Sequence, residues 1–150
     1  MGLAERSLAP VLLRLGVGLT FFFAGLEKVV RGPDYVIPYF SEFGIVWPEI
    51  SGPMVSYFEL IGAICLLLGL GTRLLGVLFA CEMLVVLAVV RMPDAAVADS
   101  VVDAFVNLRL ELLIALAATS LALLGAGRWS VDARLHCRRH RNKGPISAAD

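Results

Sequence analysis

Four stretches of the chain are apolar almost without interruption, at about residues 9–30, 53–71, 74–91 and 106–127. A helix of about 20 apolar residues crosses a bilayer core, so each stretch predicts one membrane-spanning helix. The polar positions inside these runs fall on defined faces. At 100° per residue, Arg14, Gly18, Phe21, Gly25 and Lys28 share one stripe of the first helix, with Glu27 well off it. In the fourth helix Glu111, Ala115, Ala118, Ala122 and Gly125 share a stripe of small residues. Small residues let helices approach closely in lipid, where packing replaces the hydrophobic effect. Both stripes therefore face the bundle interior and carry Arg14, Lys28 and Glu111 inward.

The connections are short. Pro53 suits the first turn of the second helix, and the turn at Gly71-Thr72-Arg73 permits only an antiparallel pairing of helices two and three. The connection at 31–52, RGPDYVIPYFSEFGIVWPEISG, is aromatic (Tyr35, Tyr39, Phe40, Phe43, Trp47) yet broken by Pro33, Pro38 and Pro48. It is too interrupted to span, and either lies in the interface as an aromatic belt or folds back to cap the bundle.

Composition agrees with a lipid-solvated chain: 59% of the 150 residues are hydrophobic, 17% are charged and the mean hydropathy is +0.83. No stretch remains for a separate soluble domain, and the expected fold is an all-α, integral membrane four-helix bundle. The N-terminal run continues to about Val30 without a small-residue cleavage site, which favours an uncleaved first span over a signal peptide. The formal net charge of +0 hides a polarity, because Arg128, Arg134, Arg138, Arg139, Arg141 and Lys143 cluster after the last span. Together with Arg6 and Arg73 they predict cytoplasmic ends, an inner-membrane location and a basic tail at 136–150 lying on anionic headgroups. Charge alone would also suit nucleic acid, but the tail's place beside a span favours lipid.

Ionisable groups within a bilayer are costly and mark partners or pathways. Lys28, Glu27, Glu59, Arg109 and Glu111 are expected in the outer half, beneath the aromatic connection, and Arg14 with Glu82 in the inner half. Lys28, Glu59, Glu111 and Tyr39 are the candidate ligand-binding residues. Arg14, Glu82, Arg109 and Glu27 are candidate structural charges, and the stripe of Glu82 leaves it free to face another subunit. The alternative for the whole set is pairing that only fixes helix register. Cys65 and Cys81 lie at similar depths and are candidate neighbours, read first as small hydrophobes. His136 and His140 stand among arginines, which disfavours a metal there, and no flavin, P-loop or nucleophile motif is present.

The Arg14 span ending in FFFAGLEK, the connection YVIPYFSEFGIVWP, the segment FELIGAICLLLGLGTRL and the closing NLRLELL…GAGRWSVDARL together resemble the DoxX family of small bacterial four-helix membrane proteins. The resemblance covers about 8–135, so a DoxX-like domain is taken as 1–135. It rests on Gly25-x-x-Lys28, Glu59-x-x-Gly62, the Leu-Leu-Gly-x-x-Thr-Arg run ending at Arg73, and Gly125-x-Gly127-x-x-Ser130-x-Asp132. Glu82 departs from the pattern, which is commonly apolar there. The resemblance implies a redox-associated membrane subunit, since some relatives belong to quinone-linked oxidoreductases such as thiosulfate:quinone oxidoreductase. A quinone is the implied ligand, with no intrinsic cofactor and with a protein partner or a second copy in the membrane. A non-catalytic accessory subunit of a larger complex and a small-solute or proton transporter are the other readings.

Overall fold

The computed structural model describes residues 5–127 and 130–132, with the side chains of 5–7 left aside; the basic tail at 136–150, Cys137 and both histidines lie outside the described residues. Five helices follow in order: α1 Glu5–Arg31, α2 Pro33–Glu42, α3 Pro48–Leu68, α4 from Thr72 to Ala96, and α5 Val101–Leu124. Three are long and apolar enough to cross a membrane, namely Leu8–Arg31, Pro48–Leu68 and Thr72–Ala96. α5 supplies the fourth predicted segment as a 24-residue helix, opened by Ser100, whose hydroxyl accepts from the Asp103 N–H as an N-cap.

The helices pair as α1 with α3 and α4 with α5, while α3 and α4 pack little on each other although only three residues join them. Small residues set both close pairings. A Cβ on Gly25 would lie 2.6 Å from the Leu60 backbone nitrogen, and one on Gly76 would lie 2.7 Å from that of Ala122. The expected stripes largely coincide with the contact faces: Arg14, Gly18, Phe21 and Gly25 are buried on α1, as are Glu111, Ala115 and Ala118 on α5, where Leu121 is buried and Ala122 half-buried. Between the pairs sits a core of Val17, Phe21, Ala63, Leu66, Phe79, Ala80, Ala118 and Leu121. Phe21 stacks on Phe79 at 3.9 Å between centroids, a contact beyond simple area burial.

The connection at 31–52 is largely helical, with an irregular stretch at 43–47. It forms α2, which starts with Pro33 at its first turn and tolerates Pro38 because Asp34, whose carbonyl loses its partner, is exposed. α2 buries Val36 and Phe40 and packs on α3, with Val36 seated over Gly52. One face of the aromatic connection is therefore packed on the helices beneath it, and the other, with Tyr35 and Tyr39, is exposed. Trp47, which precedes α3, adopts a left-handed conformation (φ 51°) with its ring exposed.

At the other end, the chain after α5 is clasped to the α3–α4 turn. Gly69 and Gly71 turn with positive φ. Asp132 Oδ1 and Oδ2 accept from the Gly71 and Thr72 N–H groups at 3.0 and 3.3 Å, and the Asp132 N–H donates to the Gly69 carbonyl. Asp132 is thus the anionic cap that α4 lacks locally. Buried Arg14 reaches the same place and donates to the Ala126 carbonyl at 2.8 Å, with Asp132 as its nearby negative charge. The Gly-x-Gly-x-x-Ser-x-Asp motif therefore builds a latch.

Candidate functional site

Because α3 and α4 diverge from their turn, a cavity of about 600 Å³ opens between the helix pairs, roofed by α2. Apolar walls come from Phe21 and Ala24 of α1, Phe40 of α2, Val55 of α3 and Val86 and Val90 of α4. All four candidate ligand residues, Lys28, Tyr39, Glu59 and Glu111, line it, together with Glu27, Glu82 and Arg91.

Two ion pairs organise the polar groups. Lys28 Nζ donates to Glu59 Oε1, and the Glu59 side chain is 4% exposed. Arg91 Nε donates to Glu111 Oε1 at 2.6 Å, with Glu111 also buried. Glu27 instead pairs with Arg31 one turn along the same helix, both side chains about half exposed, so that pair adds little to stability. Arg31 also stacks over the Tyr35 ring at 4.5 Å. On α2, Tyr35 and Tyr39 stack, and Tyr39 meets Phe43 edge to face at 5.0 Å. Burial pushes the Tyr39 phenol above its ordinary range, with Arg91 opposing the shift. The hydroxyl accordingly stays protonated at neutral pH and remains a donor.

Several expectations need correction. Arg109 is exposed and off the cavity, because it lies two residues, about 200° around the helix, from Glu111. Its expected place is taken by Arg91, which stands at the very end of the third predicted span and has no expected partner there. The helix runs on past it, and a π-helical turn at Leu87–Arg91 re-aims Arg91 toward α5. Glu82 neither joins Arg14 nor faces outward. Its side chain lies within hydrogen-bonding reach of Glu59 and lines the cavity. Equal distances from one turn explain this: Glu59 lies nine residues before the end of α3 and Glu82 ten after the start of α4, roughly 14–15 Å each at 1.5 Å per residue. That symmetry about the turn was the available signal. Cys65 and Cys81 are free thiols, Cys81 exposed, and form no bridge. Among the described residues no group of three His, Cys, Asp or Glu could hold a metal.

Comparison with known proteins adds the relationship. The chain is 29% identical over 125 residues to a Bacillus subtilis (strain 168) protein named "Putative oxidoreductase CatD", covering 83% of this chain and 85% of that one. No solved structure matches. Residues 9–92, more than half of the chain, match the DoxX family, and they carry α1, α2, α3 and most of α4; the chain belongs to the DoxX family of membrane proteins.

Proposed function

We propose that the chain is a redox-linked subunit of the bacterial inner membrane whose outer cavity binds a quinone or a small reductant. The observation that carries this is the convergence of Lys28, Tyr39, Glu59 and Glu111 on one apolar-walled cavity of about 600 Å³. That volume lies within the range of about 300–1,000 Å³ usual for small-molecule sites, which pair mostly apolar walls with a few placed polar groups. An aromatic redox carrier needs a slot of this kind with one or two donors, and Lys28 Nζ and the Tyr39 hydroxyl supply them. The oxidoreductase name of the Bacillus subtilis relative supports a redox association. Electrons would pass to or from a partner protein.

The arrangement in the membrane is part of the same reading. The chain crosses four times, α5 being the fourth span, with both ends cytoplasmic and α2 on the outer face. The Lys and Arg distribution supports this orientation. Reporter fusions after residue 44 and after residue 98 should report the outer side; cytoplasmic signals from both would refute it.

The functional reading is tested by extracting the chain from its native membrane in mild detergent and assaying co-purified quinones and proteins. Bound quinone that is lost in Lys28→Ala and Tyr39→Phe supports it. A stoichiometric large partner without quinone would replace it with the accessory-subunit reading.

A further inference from the structure

Apart from Glu27, which has Arg31, three acids meet two bases in the cavity. Lys28 answers Glu59 and Arg91 answers Glu111, which leaves Glu82 without a cation of its own. The charges around Glu82 come from every helix. Glu59 of α3 lies within hydrogen-bonding reach and Lys28 of α1 acts on it, while Arg91 of α4, Glu111 of α5 and Tyr35 and Tyr39 of α2 line the same cavity. Glu59 is 3% exposed, and its Oε2, like that of Glu82, is buried with no donor from the protein. Two carboxyls this close and away from water hold one proton between them rather than two negative charges. With that proton the five side chains are neutral. Without it they carry one negative charge, facing a cavity of about 600 Å³.

A guest that replaces the proton must therefore bring one positive charge, and the lining says of what kind. A hard metal cation surrounds itself with about six or more oxygens, whereas among the described residues no group of three His, Cys, Asp or Glu could hold a metal. The walls are instead apolar and aromatic, with Phe21, Tyr39 and Phe40 among them, and aromatic rings attract organic cations. We propose that the cavity binds a monovalent organic cation, an ammonium on an apolar body, in exchange for the single proton held between Glu59 and Glu82. The balance is one for one: the cation enters, the proton leaves to water, and Glu82 supplies the negative charge that faces the guest while Lys28 holds Glu59. This goes beyond the redox-carrier reading and does not rest on it; a cation and such a carrier would compete for one cavity.

The test titrates benzyltrimethylammonium, which has no proton to lose, into the full chain in uncharged detergent micelles. Neopentylbenzene is the neutral probe of the same shape. Exchange for one proton makes the affinity rise about tenfold per pH unit while the pair holds its proton, and calorimetry at pH 6, 7 and 8 reads that slope. A pH-indicator dye in weak buffer should report close to one proton released per cation bound. No histidine is among the described residues that line the cavity, so release near neutral pH reports the carboxyl pair. In Glu82→Gln the side chain keeps its shape and loses both the charge and the exchangeable proton. Affinity at pH 8 should then fall at least about tenfold, and the pH slope and proton release should vanish. Affinity flat with pH and without proton release, equal binding of the neutral probe, a slope that survives Glu82→Gln, or no binding of the cation would each overturn the inference. The redox-carrier reading stands or falls separately, on the co-purified quinone. The pH slope in the unaltered protein decides the matter even where the variant does not fold.

Discussion

Replacing Lys28 by Met tests whether the Lys28–Glu59 pair is buried as described. Methionine keeps most of the aliphatic stem and removes only the charge. Glu59, with a 4% exposed side chain and Glu82 beside it, then loses its cation. Removing one partner of a buried pair costs about 3–5 kcal/mol. The Lys28 side chain is 23% exposed, which argues for the lower end. The expected loss is therefore about 3 kcal/mol at pH 7, on the order of 6–12 °C in Tm for a chain of this size. The assay is thermal unfolding in one detergent at a fixed scan rate, because membrane proteins commonly unfold irreversibly. The double variant Lys28→Met with Glu59→Gln removes both charges and should recover most of the loss. A single variant within about 1 °C of the parent, or a double variant as damaged as the sum of its singles, would refute the reasoning.

Three further outcomes follow from other parts of the structure. Gly76→Ala forces a Cβ against the Ala122 and Ala118 backbone and should cost about 1–3 kcal/mol by overpacking; Gly16→Ala, which meets nothing within 4 Å, should be neutral or gain up to about 1 kcal/mol in the same melt. Asp132→Ala should cost about 1 kcal/mol through the lost cap on α4, with Asp132→Asn recovering part of it; an unchanged Tm in both would show the latch to be idle. Ultraviolet difference titration of the parent against Tyr39→Phe should show the Tyr39 phenol ionising above pH 10, later than an ordinary tyrosine. The sign follows from the raised value: its contribution is whole below about pH 10 and fades as alkali ionises it, so a lower-than-ordinary transition would refute the burial of Tyr39.

The two interior stripes were legible in the sequence because helical periodicity is insensitive to small boundary errors: Arg14 to Lys28, and Glu111 to Gly125, keep their faces wherever the helices start. Lys28 and Glu111 reach the cavity for that reason, while Glu59 of α3 joins them through its depth in the helix and Tyr39 through its place in the aromatic connection. What escaped depends on features that periodicity does not carry. Arg91 reaches Glu111 through a π-helical turn, which breaks the 3.6-residue phase at the point where an α-helical projection would have used it. α2 was hidden by its three neighbouring prolines, each placed where a helix tolerates it. The partnership of Glu82 with Glu59 needed a comparison of counts on either side of a turn, and a helical wheel drawn for one helix omits that. The part played by Asp132 was hidden by distance, since the helix it caps begins sixty residues earlier.

That distance has a consequence for biogenesis. The groups that Asp132 binds, at Gly71 and Thr72, leave the ribosome long before Asp132 itself. Until the segment after α5 arrives, the tight link between α3 and α4 carries exposed amide donors with no fixed partner and Arg14 lacks the Ala126 carbonyl. The helices can therefore enter the bilayer one after another, but the latched end cannot lock until α5 and the segment that follows it have been made. A chain stopped after residue 127 should insert normally and then remain open to proteolysis at the 69–72 link, with quality-control proteases reading the unfastened turn as a sign that assembly is unfinished.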